Sequence, residues 1–182
     1  MLKPFLIPFF LFLCQQPDPH TTTAMSGIAA GRLREERKAW RKDHPHGFFA
    51  RASRNPDGST NMMMWQCGVP GKKGTPHEGG LYKIEISFTE DYPSKAPLVK
   101  FKPVIFHPNV YGSGKICLSI IDDTKGWQPT ITIKQILLGV QDLLNNPNNA
   151  DPAQSESSDL LKRSKAAYEA RVRQEVKKHP PL

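Results

Sequence analysis

Cysteine is scarce in this chain of 182 residues. There are three, Cys14, Cys67 and Cys117, far apart and odd in number, and none forms a Cys-x-x-Cys or Cys/His pair with metal-site spacing. Neither a disulfide framework nor a zinc site is supported, and a reducing compartment is the expected setting. Long apolar runs are lacking too. The run from Phe5 to Leu13 is too short to span a bilayer as a helix. No repeat and no second domain is visible. Acidic residues are outnumbered, 17 against 25 Lys and Arg, which leaves a net charge of +8.

What is present reads as one ordinary domain with appendages. Apolar residues make up 38% and charged residues 23%, a globular mix, and the 17 prolines fall mainly in connections. The basic excess is concentrated. Arg32, Arg34, Arg37, Lys38, Arg41 and Lys42 form one cluster, opposed only by Glu35 and Glu36. A second lies between Lys162 and Lys178. Such surfaces serve nucleic acid, membranes or acidic proteins. No nucleic-acid motif accompanies them, and aromatics are not interleaved beyond Trp40.

Residues 1–24 differ from the rest. Lys3 precedes the apolar run and a Pro/Thr-rich stretch follows, the pattern of a secretory signal peptide. Met25-Ser26-Gly27 reads as a fresh start. The expectation is a leader or upstream extension over 1–24 and a working domain over 25–182.

The pattern predicts a helix over 26–43 with Ser26 as N-cap and only Leu33 and Trp40 on its apolar face. Two strands, Phe48 to Ala52 and Asn61 to Gly68, flank the turn Asn55-Pro56-Asp57-Gly58. Tyr82, Ile84, Ile86 and Phe88 alternate with polar residues, a half-buried strand. Leu98 to Lys102 is a fourth. Residues 103–130 form a long connection without periodicity, and such loops are usually functional. Thr132 and Gln135 form a capping box before the apolar face Ile133, Ile136, Leu137, Val140, Leu143 and Leu144. Asp151-Pro152 reads as the cap and first residue of another helix. A basic helix is expected over 163–178. Hairpin-linked strands followed by helices imply an α+β fold: an antiparallel meander with helices on one side.

Cys117 lies in the long loop, in His107-Pro108-Asn109-Val110-Tyr111-Gly112-Ser113-Gly114-Lys115-Ile116-Cys117-Leu118. A lone Cys between Ile and Leu is usually a small buried hydrophobe, and His-Pro-Asn is a good turn by itself. Cys, His and Asn together could mimic a papain-like set, but that signature does not match. A thiol in an irregular loop beside a carboxamide suits a nucleophile reached from solvent that forms acyl intermediates.

This segment resembles the active-site signature of the ubiquitin-conjugating enzyme family, His-Pro-Asn followed by Cys-Leu. The resemblance covers residues 25–178. Gly74-Thr75-Pro76-His77-Glu78-Gly79-Gly80, Asp91-Tyr92-Pro93-Ser94 with Ala96-Pro97, and Trp127-Gln128-Pro129 are similar to further motifs of that family. Three stretches resemble its SUMO-conjugating branch: Leu33 to Pro45, Asn55 to Gly58 with Pro70 to Pro76, and Ile121 to Trp127 with Asp151 to Gln154.

The resemblance implies that Cys117 takes SUMO from the activating enzyme as a thioester and passes it to a substrate lysine as an isopeptide. It makes Asn109, Tyr111 and Asp151 catalytic with Cys117. Asn109 would donate to the oxyanion or order the loop that does, and Tyr111 and Asp151 would orient the amine. It places Ser113, Lys100, Pro152 and Gln154 in the substrate-lysine groove, and Arg37, Lys38, Arg41 and His44 against SUMO and the activating enzyme. The implied partners are SUMO, its activating enzyme, protein substrates and ligases, with no specific nucleic acid and no membrane. No metal and no cofactor is implied, since ATP is used by the activating enzyme. The chain departs from the branch at His77, usually aromatic, and at Leu98, Lys115 and Ser158, where the branch reads the sequence around the substrate lysine. An enzyme for ubiquitin or another ubiquitin-like protein, or a basic non-catalytic scaffold, are the alternatives.

Overall fold

A computed structural model describes residues 27–181. The expectations for residues 1–24, and Ser26 as a cap, lie outside them. The elements in chain order are α1 (Ile28–Lys42), β1 (Phe49–Arg54), β2 (Thr60–Pro70), β3 (Leu81–Ser87), β4 (Leu98–Phe101), a 3-10 turn (Ser119–Ile121), α2 (Ile133–Asn145), α3 (Ser155–Arg163) and α4 (Lys165–Val176). The four strands form one antiparallel sheet in sequence order. The fold is the expected α+β meander.

Alternation builds the sheet. Ile84 and Ile86 of β3 face the core while Lys83 faces solvent. Opposite them, Trp65, Cys67 and Val69 of β2 are buried. α1 and α2 both pack on β2. The Thr132–Gln135 capping box is present, with each residue's side chain meeting the other's backbone. Its six apolar side chains are all buried, at about 1.5–3 kcal/mol each before entropy.

α1 buries more than the expected apolar face of Leu33 and Trp40. Gly27 holds the N-cap position, and Ala29, Ala30 and Glu36 are buried with Leu33 and Trp40. From the sequence Glu36 is only an acid opposing the basic cluster; in the fold it is buried. Its Oε1 accepts from Arg32 Nε at 2.8 Å, and its Oε2 accepts from the Ile133 amide at 3.2 Å. Arg32 also donates to the carbonyls of Pro129 and Ile131. A buried carboxylate satisfied this way fastens α1 to the start of α2.

Of the two C-terminal helix expectations, one holds and one changes. The basic helix expected over 163–178 is α4, Lys165–Val176, and Ser164 caps it, its side chain accepting from the Ala167 amide. Asp151-Pro152 does not start a helix. The cap of α3 is Gln154, because the amides of Ala153 and Gln154 both donate to the Pro108 carbonyl rather than to a preceding helical turn.

Candidate active site

The long connection is built rather than loose. Val110 and Ile116 pair in an antiparallel bridge, and Lys115 pairs with Lys100 of β4. The Ile116 amide donates to Val99 O at 3.0 Å. Gly114 turns this hairpin at φ +82°, and a Cβ there would meet Phe101 O at 2.5 Å, so only glycine fits. Ile116 is buried, which anchors the segment and leaves Cys117 half-exposed.

Asn109 is 1% exposed. Its carbonyl accepts from the Cys117 amide at 2.8 Å. Its Nδ2 donates to Asn148 O at 2.7 Å, and its Oδ1 accepts from the Asn148 amide at 2.8 Å. One residue thus fixes the backbone of Cys117 and clamps the segment that follows α2. His107 lies beneath. Its Nδ1 accepts from the Asn109 amide at 3.1 Å, which leaves the proton on Nε2 to donate to Leu143 O at 3.0 Å. The Gln154 carboxamide accepts from the His107 amide, closing the frame.

A cleft of about 310 Å³ opens beside the thiol. Tyr111 and Lys115 form one wall, and Leu98, Asp122, Asp123 and Thr124 the other. The second wall is strapped in place: Asp123 accepts from the Ala96 amide at 2.7 Å, and Trp127 Nε1 donates to Pro93 O at 2.9 Å. These bonds give the Tyr92-Pro93 and Trp127 motifs a physical role. Tyr111 is 43% exposed. A Cys117 thiolate nearby, and then burial and the Asp151 carboxylate, push its phenol above its ordinary range. The thiol, the phenol and the carboxylate therefore share one electrostatic neighbourhood. Asp151 is exposed, and its carboxylate sits 3.6 Å from Lys125 Nζ.

Not every residue named from the sequence lies at the thiol. Ser113 Oγ accepts weakly from the Lys115 amide at 3.4 Å. Lys100 is half-buried on β4 and Pro152 is exposed. None of Ser113, Lys100, Pro152 and Gln154 lines this cleft. Ser158 is buried, its hydroxyl donating to Asn149. Sequence reasoning missed the second wall, Asp122 to Thr124, and the Lys125–Asp151 pair. The run of charge around the 3-10 turn was the available signal. Cys67 contrasts with Cys117: it is buried in the sheet, and burial pushes its thiol up to about 12. Among the described residues no group of His, Cys, Asp and Glu could hold a metal, and no helix is long and apolar enough to cross a membrane.

The far basic residues stand apart. Arg37, Lys38 and Arg41 lie on α1, with His44 just past its end, its ring stacked on Trp40 at 5.2 Å.

Of the three buried histidines among the described residues, His107 and His77 make stability most acid-sensitive. Burial holds His107 down at about 3 and His77 at about 4. Unfolded histidine titrates near 6.5. The folded values are depressed, so the stability they carry is complete above about 6.5 and is lost as pH falls from there toward 4. Each should cost about 1.4 kcal/mol per pH unit in that window. The melting temperature should therefore drop from pH 7 to pH 5, and less steeply in His77→Phe. A flat profile contradicts this assignment.

A half-exposed thiol on a rigid loop, buttressed by Asn109 and facing a strapped cleft, defines an acyl-carrying enzyme of the ubiquitin-conjugating type. The family profile described as Ubiquitin-conjugating enzyme matches residues 32–176, and the chain belongs to that family. Within it, the similarity is to SUMO-conjugating enzymes. The chain is 56% identical over 155 residues to SUMO-conjugating enzyme UBC9 of Caenorhabditis elegans, covering 85% of this chain and 93% of that one. It is 54% identical over 157 residues to SUMO-conjugating enzyme SCE1 of Arabidopsis thaliana, covering 86% and 98%. It is 53% identical over 157 residues to Sumo-conjugating enzyme ubc9 of Dictyostelium discoideum, covering 86% and 99%.

Proposed function

We propose that this chain accepts SUMO as a thioester on Cys117 and transfers it to substrate lysines as an isopeptide. The observation that carries the reading is the placement of a half-exposed Cys117 at a cleft bearing Tyr111, in a frame set by Asn109. The activating enzyme delivers the acyl group by thiol exchange. The substrate amine attacks the carbonyl, and negative charge gathers on its oxygen. Free lysine is almost fully protonated at neutral pH. Crowding in the cleft, with Tyr111 on its lining and the Asp151 carboxylate acting on that phenol, favours and orients the neutral amine.

Asn109 serves here as a positioning residue. Both polar ends of its side chain are already bonded to Asn148, so ordering the loop is better supported than direct donation to the oxyanion. The chemistry needs no cofactor on this chain, because the activating enzyme uses the ATP. The partners are SUMO, that enzyme, ligases and protein substrates, and the compartments are nucleus and cytoplasm, where an unpaired reactive thiol stays reduced.

The test is charging with ATP and either the SUMO or the ubiquitin activating system, followed by a non-reducing gel. A thiol-labile adduct with SUMO alone is expected. An adduct with ubiquitin alone overturns the reading.

The α1 surface supplies a further expectation. Rim charges tune association rate and salt dependence more than final affinity. Arg37→Glu with Arg41→Glu should slow charging about tenfold at low salt and weaken non-covalent SUMO binding. Binding to the unmodified chain that is equal at low and high salt contradicts a role for these cations.

A further inference from the structure

The cleft beside Cys117 is lined by an amine of this chain's own, Lys115. Lys115 and Cys117 flank Ile116, which is buried. Alternate residues of an extended segment face the same way. Burial of Ile116 therefore turns both Lys115 and Cys117 outward, and both line the same cleft. Two residues of extended chain span about 6.7 Å, a distance that the four-carbon stem of lysine covers. The Lys115 amine can reach the space over Sγ with no movement of the backbone.

Little holds that amine elsewhere. No carboxylate lies within ion-pair distance of it among the described residues, whereas Lys125 is shared between Asp122 and Asp151 at 3.9 and 3.6 Å. Directly opposite Lys115 is Lys100, of the same charge. Next along that ladder, Glu85 pairs with Lys102 at 2.6 Å. Across the cleft, Asp122 feels the Lys115 field but is bonded to the amide and hydroxyl of Thr124. Asp123 is held by the Ala96 amide.

We propose that Lys115 is a self-modification site: with SUMO on Cys117 and the cleft empty of substrate, the Lys115 amine takes the acyl group in cis. This rests on Cys117 being the acceptor thiol. The lone pair of the neutral amine attacks the thioester carbonyl. The C–N bond forms as the C–S bond breaks, the Cys117 sulfur leaves as thiolate, and the proton lost by nitrogen goes to water. The product is an isopeptide on Lys115, which leaves the thiol free but fills the cleft. Placement within one molecule favours the step, since oriented intramolecular groups react as if at very high concentration. A bound substrate opposes it by occupying the cleft, so self-transfer marks the charged but idle enzyme.

The experiment charges the full chain with SUMO, ATP and the activating enzyme, quenches ATP, and incubates without substrate. Aliquots are run with and without thiol, and the thiol-resistant product is mapped by mass spectrometry. The expected remnant is on Lys115, with a half-time independent of enzyme concentration. An added lysine peptide should suppress it. In Lys115→Arg the ratio of thiol-resistant to thiol-labile adduct in the same lane should fall about tenfold or more. A thiol-labile adduct that only hydrolyses, a remnant on Lys100 or Lys125 instead, or a rate proportional to enzyme concentration overturns the proposal. Absence of any thiol-labile adduct overturns it together with the acceptor assignment.

Discussion

Replacing Cys117 by alanine should abolish the SUMO adduct, and replacing it by serine should leave at most an ester that survives thiol. The loss is total because no other described thiol can substitute. Cys67 is buried against the sheet core, and its thiol is pushed up to about 12, so essentially no thiolate exists there at neutral pH. Cys67→Ala should charge normally and show only a stability loss of about 1–2 kcal/mol from the emptied volume. The measurement is a non-reducing gel of the variants after charging. Undiminished adduct in Cys117→Ala, or adduct lost in Cys67→Ala, removes Cys117 from the mechanism.

Asn109→Ala should charge within a few-fold of the unmodified chain but discharge to free lysine about 100-fold more slowly, the cost of a loop misplaced by about an ångström. Thiol exchange needs only the exposed sulfur. Aminolysis needs the loop, the Asn148 segment and Asp151 in register. Truncation leaves both backbone groups of Asn148 without their side-chain partner, a local loss of about 1–3 kcal/mol. Amide exchange at Asn148 and Ala150 should accelerate in the variant. Slow discharge with unchanged exchange would show instead that Asn109 acts on the oxyanion directly.

Much of this was legible from residue order. The alternation through β3 gives its buried face, the Thr132–Gln135 box gives the start of α2, and the turn-rich context of Cys117 singles it out. Misreadings arose where a distant partner overrides a local signal. Asp151-Pro152 looks like a helix start, yet the Pro108 carbonyl captures the next amides and delays α3 to Ser155. Glu36 reads only as an acid opposing the basic cluster, yet Arg32 and the Ile133 amide satisfy it in the core. His107 carries no local sign of burial, because its Nε2 partner, Leu143, lies on α2. The second wall of the cleft depends on Asp123 reaching Ala96 and Trp127 reaching Pro93, contacts that spacing alone does not encode.

The bond to SUMO itself is the most direct test. The charged chain is digested under acidic conditions that preserve thioesters, and the peptides are mapped by mass spectrometry before and after thiol. Expected is the SUMO C-terminal remnant on the peptide bearing Cys117, lost on thiol treatment. A thiol-labile remnant on Cys67 or Cys14, or none on any cysteine, contradicts it.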